Sequence, residues 1–221
     1  MPTTTERRTL TPKQEIYEAL KRDILSGSLP PGQPLVERDL VTRFRASRTP
    51  IREVLRLLER ERLVEVYPNR GVFVRKLTLK DVNDIFEMRL AIEPTAARLA
   101  ADRYDIHELN RIKKAFLNAP VEDDPKALQR LVALGKDLHD FIAFSTNNAL
   151  IIETSNQLHS LMVLIRNMTK HYFNIERRSY SAHLRIIDAL QQRDPARSEQ
   201  TMRDHLLETW KGILELHFRA G

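Results

Sequence analysis

The chain has 221 residues, 42% of them apolar and 30% charged, a net charge of +6 and no cysteine. That length carries one large or two modest domains with real cores. The missing cysteines exclude disulfide staples, thiolate metal sites and a cysteine nucleophile, and fit a reducing, cytoplasmic setting. No apolar run approaches the roughly 18 residues of a membrane span, and the opening MPTTTERRTL lacks the apolar core of a secretory signal.

The charge is uneven. Residues 1–76 hold 16 Lys and Arg against 10 Asp and Glu, while residues 77–221 hold 20 of each. The whole positive excess lies in the first third, which favours an anionic polymer as partner of that part. Residues 1–10 read as a flexible arm, 11–76 as a DNA-binding domain and 77–221 as a second, all-helical domain.

Thr11-Pro12-Lys13-Gln14 starts a helix, with Thr11 as cap, Pro12 in the first turn and Gln14 closing a capping box. Ile16, Leu20 and Ile24 form its inward stripe, and Gly27 ends it. Leu29-Pro30-Pro31-Gly32 must turn. Residues 36–44 form a short helix that buries Leu40, Val41 and Phe44. The next helix begins at SRTP, with Ser47 or Thr49 as cap. Ile51, Val54, Leu55 and Leu58 share its buried face, and Arg48, Arg52, Arg56 and Arg60 stay off it. A hairpin follows, Val64–Tyr67 and Val72–Val74 around a Pro68-Asn69-Arg70-Gly71 turn. Helix, short helix, tight turn, helix and hairpin make a winged helix-turn-helix.

A polar helix start with Ser47, Arg48, Thr49 and Arg52 suits end-on entry into the major groove. Arginine there can read guanine, and small hydroxyl residues let the backbone approach phosphates. The alternative is an ordinary amphipathic helix with solvated arginines. Lys76–Leu79 is the expected linker, and Thr78 with Asp81 caps the next helix.

Beyond it only helical signals occur: 79–103, with Pro94 bending or breaking it, then 105–118, 125–145, 148–172, 175–193 and a last helix to about 218. Six helices with short connections predict an antiparallel bundle. His139, His183 and His205 each lie on a largely apolar stripe of a different helix. Inward histidines on three neighbouring helices can converge on one divalent cation, Zn²⁺ or Ni²⁺ by donor type; hydrogen-bonded core histidines are the plainer alternative. His159, Asn156, Tyr172 and Tyr180 are further candidates for lining such a cavity, and Trp210 for core or dimer interface.

Two stretches carry a family resemblance. SGSLPPGQPLVERDLVTRF followed by SRTPIREVLRLLERERLVEVYPNRGVFV resembles the N-terminal domain of GntR-family bacterial transcription regulators. The resemblance implies base or phosphate contacts by Arg38, Arg48 and Arg52, phosphate contacts by Ser47 and Thr49, and a wing tip at Arg70 and Gly71. An ion pair with Glu37 or Asp39 is the other reading of Arg38. The region around His139, then SAHLRIIDAL and MRDHL, resembles the FCD ligand-binding domain of the FadR-type branch, in its six-helix VanR-like group.

That resemblance implies a metal held by an Asp and three His, and a small carboxylate effector. His139, His183 and His205 match. The Asp position is Gly135, and Asp137 faces another way on the helix. The expectation is that water, or an effector carboxylate bridging metal and Arg89, uses the vacated space. Arg89 and Glu93 match the family's R-x-x-[apolar]-E pattern, which aims Arg89 into the pocket; a surface i, i+4 pair is the alternative. Altogether the sequence reads as a homodimeric repressor of double-stranded DNA operators, not an enzyme. The rival is a metal-dependent hydrolase with a DNA-binding appendage.

Overall fold

Thr11 opens the first helix with both halves of a capping box. Its hydroxyl accepts from the Gln14 N–H at 3.3 Å, and Gln14 Oε1 accepts from the Thr11 N–H at 2.8 Å. This computed structural model describes residues 11–120, 124–168 and 173–219, with backbone alone at 168, 173–174 and 217–219. The arm expected over 1–10, residues 121–123 of the acidic loop, and Tyr172 lie outside the described residues. The chain divides into two compact units, Met1–Leu77 and Thr78–Gly221.

In the first unit, α1 (Pro12–Leu25) buries Ile16, Leu20 and Ile24. Gly27, at φ 79°, turns the chain out of it. α2 (Glu37–Phe44) buries Leu40 alone, with Val41 and Phe44 half-buried. Arg45 takes the left-handed conformation at φ 48° and makes the tight turn into α3 (Arg48–Arg60). Ile51, Val54, Leu55 and Leu58 are buried on one face of α3, each contributing about 1.5–3 kcal/mol. Ser47 is the N-cap, but its hydroxyl makes no capping hydrogen bond. Ser47, Arg48 and Thr49 are exposed, so water can satisfy the first-turn N–H groups.

Strands β1 (Val64–Tyr67) and β2 (Gly71–Val74) pair antiparallel, Val64 opposite Val74 and Tyr67 opposite Gly71. Asn69 at φ 60° and Gly71 at φ 103° make the turn. The segment after the double proline adds an edge to this hairpin. Leu35 N–H donates to Val72 C=O and Val74 N–H to Gln33 C=O, at 2.8 and 2.9 Å. The sequence did not announce this pairing, because Pro34 reads as a strand breaker; Pro34 forms its bridge to Phe73 on the edge, where proline is tolerated.

The second unit is a helical bundle: α4 (Leu79–Ala100), α5 (Ile106–Leu117), α6 (Pro125–Ser145), α7 (Ala149–Met168), α8 (Phe173–Gln191) and α9 (Pro195–Arg219). Thr78 and Asp81 form the capping box of α4, and Pro94 sits buried inside α4 without ending it. The proline removes one helical N–H, a loss of about 3 kcal/mol in an isolated helix, so packing must hold this one together. Ala96, Ala97 and Ala100 let neighbouring helices approach closely, and Phe116, Leu138, Ile142, Ile187 and Met202 fill the core around them. α4 packs on α6, α7 and α9, and α8 on α5, α6 and α9. Four helix faces therefore meet where α4, α6, α8 and α9 converge.

Candidate functional site

The residues expected to face DNA gather at the starts of α2 and α3. Arg52 Nε lies 2.9 Å from both carboxylate oxygens of Glu37, tying α3 to the first turn of α2. Arg38, the next residue, is exposed and 3.5 Å from Asp39, the ion-pair alternative in a loose form. Ser47, Arg48 and Thr49 are exposed at the tip of α3. Arg70 and Gly71 stand on a third element, the hairpin tip, where the Arg70 guanidinium lies 5.9 Å from the Tyr67 ring centre.

In the second unit the three histidines do meet. His139 comes from α6, His183 from α8 and His205 from α9, and one nitrogen of each lies within 4.8 Å of the other two. His139 Nε2 and His183 Nε2 face each other at 3.3 Å. Two imidazoles sharing one Zn²⁺ at bonds of about 2.0–2.1 Å and a tetrahedral angle have nitrogens at roughly this spacing. His205 Nδ1 is buried and has no hydrogen-bond partner among the described residues. Burial, and then the neighbouring histidines, push His183 and His205 well below the usual histidine range. Neutral imidazoles are the form a divalent cation takes. The donor set and the unpartnered buried nitrogen fit a metal.

Around this trio stand buried charges from other helices. Arg89 and Glu93 of α4 form a pair, Nε to Oε1 at 2.6 Å and Nη2 to Oε2 at 3.3 Å. Both are buried, so the surface-pair reading of Arg89 is corrected: these residues pair, but inside the bundle. The Arg89 guanidinium also lies 5.2 Å from the Phe86 ring centre. His139 Nδ1 lies 2.7 Å from Glu93 Oε2, an ion-pair distance, but like His205 Nδ1 it makes no hydrogen bond of good geometry among the described residues. Burial alone would raise the Glu93 carboxyl, but Arg89 and His139 outweigh it and hold it well below the usual range. From α7, Arg166 reaches Glu176 of α8 at 3.1 Å, and burial raises Glu176 despite that partner. His159 is pushed down to about 2 by burial and then by His139.

Arg89, Arg166, His159 and the three histidines line a cavity of about 20 Å³. That volume suits one water or one ion, not an organic acid. Gly135 lies on its wall, and the space expected for water or an effector carboxylate is taken: a Cβ at 135 would sit 2.8 Å from His183 Cε1. The His183 ring occupies the place the missing side chain leaves, which corrects that expectation. Asp137 is exposed.

Sequence reasoning missed Arg166 and Glu176, and saw Glu93 only as the partner of Arg89. Tyr180 and Asn156 do not line the cavity. The Tyr180 hydroxyl donates to the Phe116 carbonyl at 3.1 Å, and the Asn156 carbonyl accepts from Ser160. Trp210 stacks on Phe86 at 5.7 Å and donates to Asn83 Oδ1 at 3.1 Å.

Comparison with known proteins agrees with both halves. Residues 84–208, over half of the chain, match the FCD domain family, and residues 12–74 match the bacterial regulatory proteins of the gntR family. The HTH-type transcriptional repressor RspR of Escherichia coli (strain K12) is 28% identical over 203 residues, covering 92% of this chain and 89% of that protein. The Nta operon transcriptional regulator of Aminobacter aminovorans is 26% identical, over 84% of this chain and 87% of its own length. Among solved structures, E. coli McbR/YncC superposes with a TM-score of 0.75 at 17% identity, covering 96% of this chain and all of that one. A GntR regulator from Rhodococcus sp. RHA1 superposes with a TM-score of 0.74 at 24% identity, covering 92% and 97%. At those identities the two structures speak for a shared fold. No helix among the described residues is long and apolar enough to cross a membrane. The chain belongs to the GntR family of bacterial transcription regulators, in the branch whose second domain is an FCD domain.

Proposed function

We propose that this regulator represses transcription from a double-stranded DNA operator, that it acts as a cytoplasmic homodimer, and that a small organic acid bound in residues 77–221 modulates it. Residues 11–76 then read DNA, with Arg38, Arg48 and Arg52 at bases or phosphates, Ser47 and Thr49 at phosphates, and Arg70 and Gly71 at the wing. Two copies are needed because one recognition helix reads too few base pairs. The repressor sense leans on the relative RspR, named a repressor.

The observation that carries the effector reading is the buried cluster of Arg89, Arg166, His139, His183 and His205 around one small cavity. Guanidinium forks suit carboxylates. His139, His183 and His205 would hold a divalent cation, which supplies a positive charge and an open position for a carboxylate oxygen. The cavity is too small for the acid as it stands, so binding requires the lining helices to part. An effector that binds the parted form better shifts the protein toward it. Against the hydrolase rival, the carboxylates nearest the histidines are engaged: Glu93 by Arg89 and His139, Glu176 by Arg166.

The test is fluorescence anisotropy on DNA from upstream of the gene, with a panel of small carboxylic acids, in added Zn²⁺ or in chelator. The expected result is DNA release by one class of acid, stronger with metal. Release by none of them, with or without metal, would count against the effector reading and leave DNA binding intact.

A further inference from the structure

Position 135 on α6 is a glycine, and the carboxylate that faces the histidines comes from another helix. Glu93, on α4, presents Oε2 to His139 Nδ1 at 2.7 Å. Its other oxygen is fixed by Arg89 Nε at 2.6 Å, so the carboxylate cannot swing away without leaving a buried guanidinium without this partner. Nδ1 of His139 thus faces a negative charge while Nε2 faces His183. That orientation gives the Nε2 lone pair to the cavity and strengthens it as a donor.

An aspartate at 135 could not do the same work with His183 where it is. The Cβ alone would lie 2.8 Å from the His183 ring. Glycine and the ring position belong together, and they close the centre to a carboxylate from α6. The other nearby acids are committed elsewhere: Asp140 to Lys136, and Glu176 to Arg166. We propose that Glu93, acting through His139 as a positioning residue, supplies the negative charge of this metal centre, to which α6 offers no carboxylate at position 135. The inference rests on the metal part of the reading above and goes beyond it, because it assigns a residue that the metal does not touch.

The experiment uses the full-length, metal-stripped chain titrated with Co²⁺, followed by its visible absorption, for wild type, Glu93→Gln and Glu93→Asp. Gln keeps the shape and removes the charge. Asp keeps the charge and withdraws it from His139 by one methylene. Both are expected to weaken Co²⁺ binding by about 10- to 100-fold, the usual effect of losing an outer-shell partner. In the Zn²⁺-loaded wild type, the His139 Nδ1 proton should be slow to exchange and far downfield by NMR, and Glu93→Gln should abolish that signal. A merely structural role would lower the melting temperature and leave both readouts in place. If Glu93→Gln fails to fold by circular dichroism, Glu93→Asp decides by the same two readouts. Wild-type Co²⁺ affinity in the folded variants overturns the inference and leaves the metal reading standing. A wild type that takes up no Co²⁺ overturns both.

Discussion

The imidazole of His183 rests on the bare Cα of Gly135, so closely that a Cβ there would approach His183 Cε1 to 2.8 Å. One residue on α6 and one on α8 therefore share a single space. Gly135→Ala tests this. Helix propensity alone favours alanine by roughly 0.5–1 kcal/mol, but the ring must move to admit it. Forcing the packed His183 ring aside costs about 1–3 kcal/mol, more than that gain, so the expected outcome is lower metal-free stability together with about tenfold weaker Zn²⁺ binding by calorimetry. Gly135→Asp should weaken binding further. Tighter binding in either variant would mean that His183 relocates freely.

A second prediction concerns Glu37, which holds Arg52 by both carboxylate oxygens. If Arg52 faces DNA as proposed, an acid this close opposes phosphates while it fixes the direction of the guanidinium. Glu37→Gln should raise affinity for random DNA and reduce the preference for the cognate operator. Arg52→Ala should cost about 1–3 kcal/mol on the cognate site alone. Binding measured on cognate and scrambled duplexes at one salt concentration decides it. Equal losses on both sequences for Arg52→Ala would make it a phosphate contact.

The buried histidines fix a pH dependence. His159 is held at about 2, and His183 and His205 are held well below their usual range. In the unfolded chain all three titrate near ~6.5. Below that pH the unfolded state binds protons that the folded state refuses, so stability falls as pH falls, by about 1.4 kcal/mol per pH unit for each histidine. Glu93, depressed in the fold, adds a further loss below about pH 4.3. Glu176, raised by burial, has the opposite sign above its ordinary range. Denaturant unfolding of the metal-free chain between pH 7.5 and 5.5 should show stability falling below pH 6.5, with a shallower slope in His159→Gln. A flat profile would mean these rings are charged in the fold.

At the wing, Gly71 has φ 103° and open space around its Cα. Gly71→Ala therefore meets backbone strain and no clash, and should cost about 1–3 kcal/mol. Thermal unfolding of residues 11–76 gives the magnitude. A negligible change would mean that the turn readily adopts another conformation.

Most helices were legible in the sequence because their signals are local. Thr11–Gln14 and Thr78–Asp81 are capping boxes within four residues, and Ile51, Val54, Leu55 and Leu58 state their own periodicity. The inward aim of His139, His183 and His205 was readable from the apolar stripes they sit on. What they meet was not, because the rotation and stagger between helices come from packing. Nothing near Glu93 says that it faces a histidine 46 positions later, or that Arg166 crosses to Glu176. Tyr180, equally plausible by spacing, turns instead to the Phe116 carbonyl. The proline-rich edge strand was hidden for a different reason: Pro34 spoils the strand signal but is harmless on an edge.

The small volume behind Arg89 has a kinetic meaning. If the effector is the small organic acid proposed, it cannot enter about 20 Å³ by collision alone; it must wait for the helices to open, a motion of microseconds to milliseconds. Its observed association rate should therefore rise with concentration only at first. Beyond that it should level off at the opening rate, so that every acid of the right class reaches the same ceiling however tightly it binds.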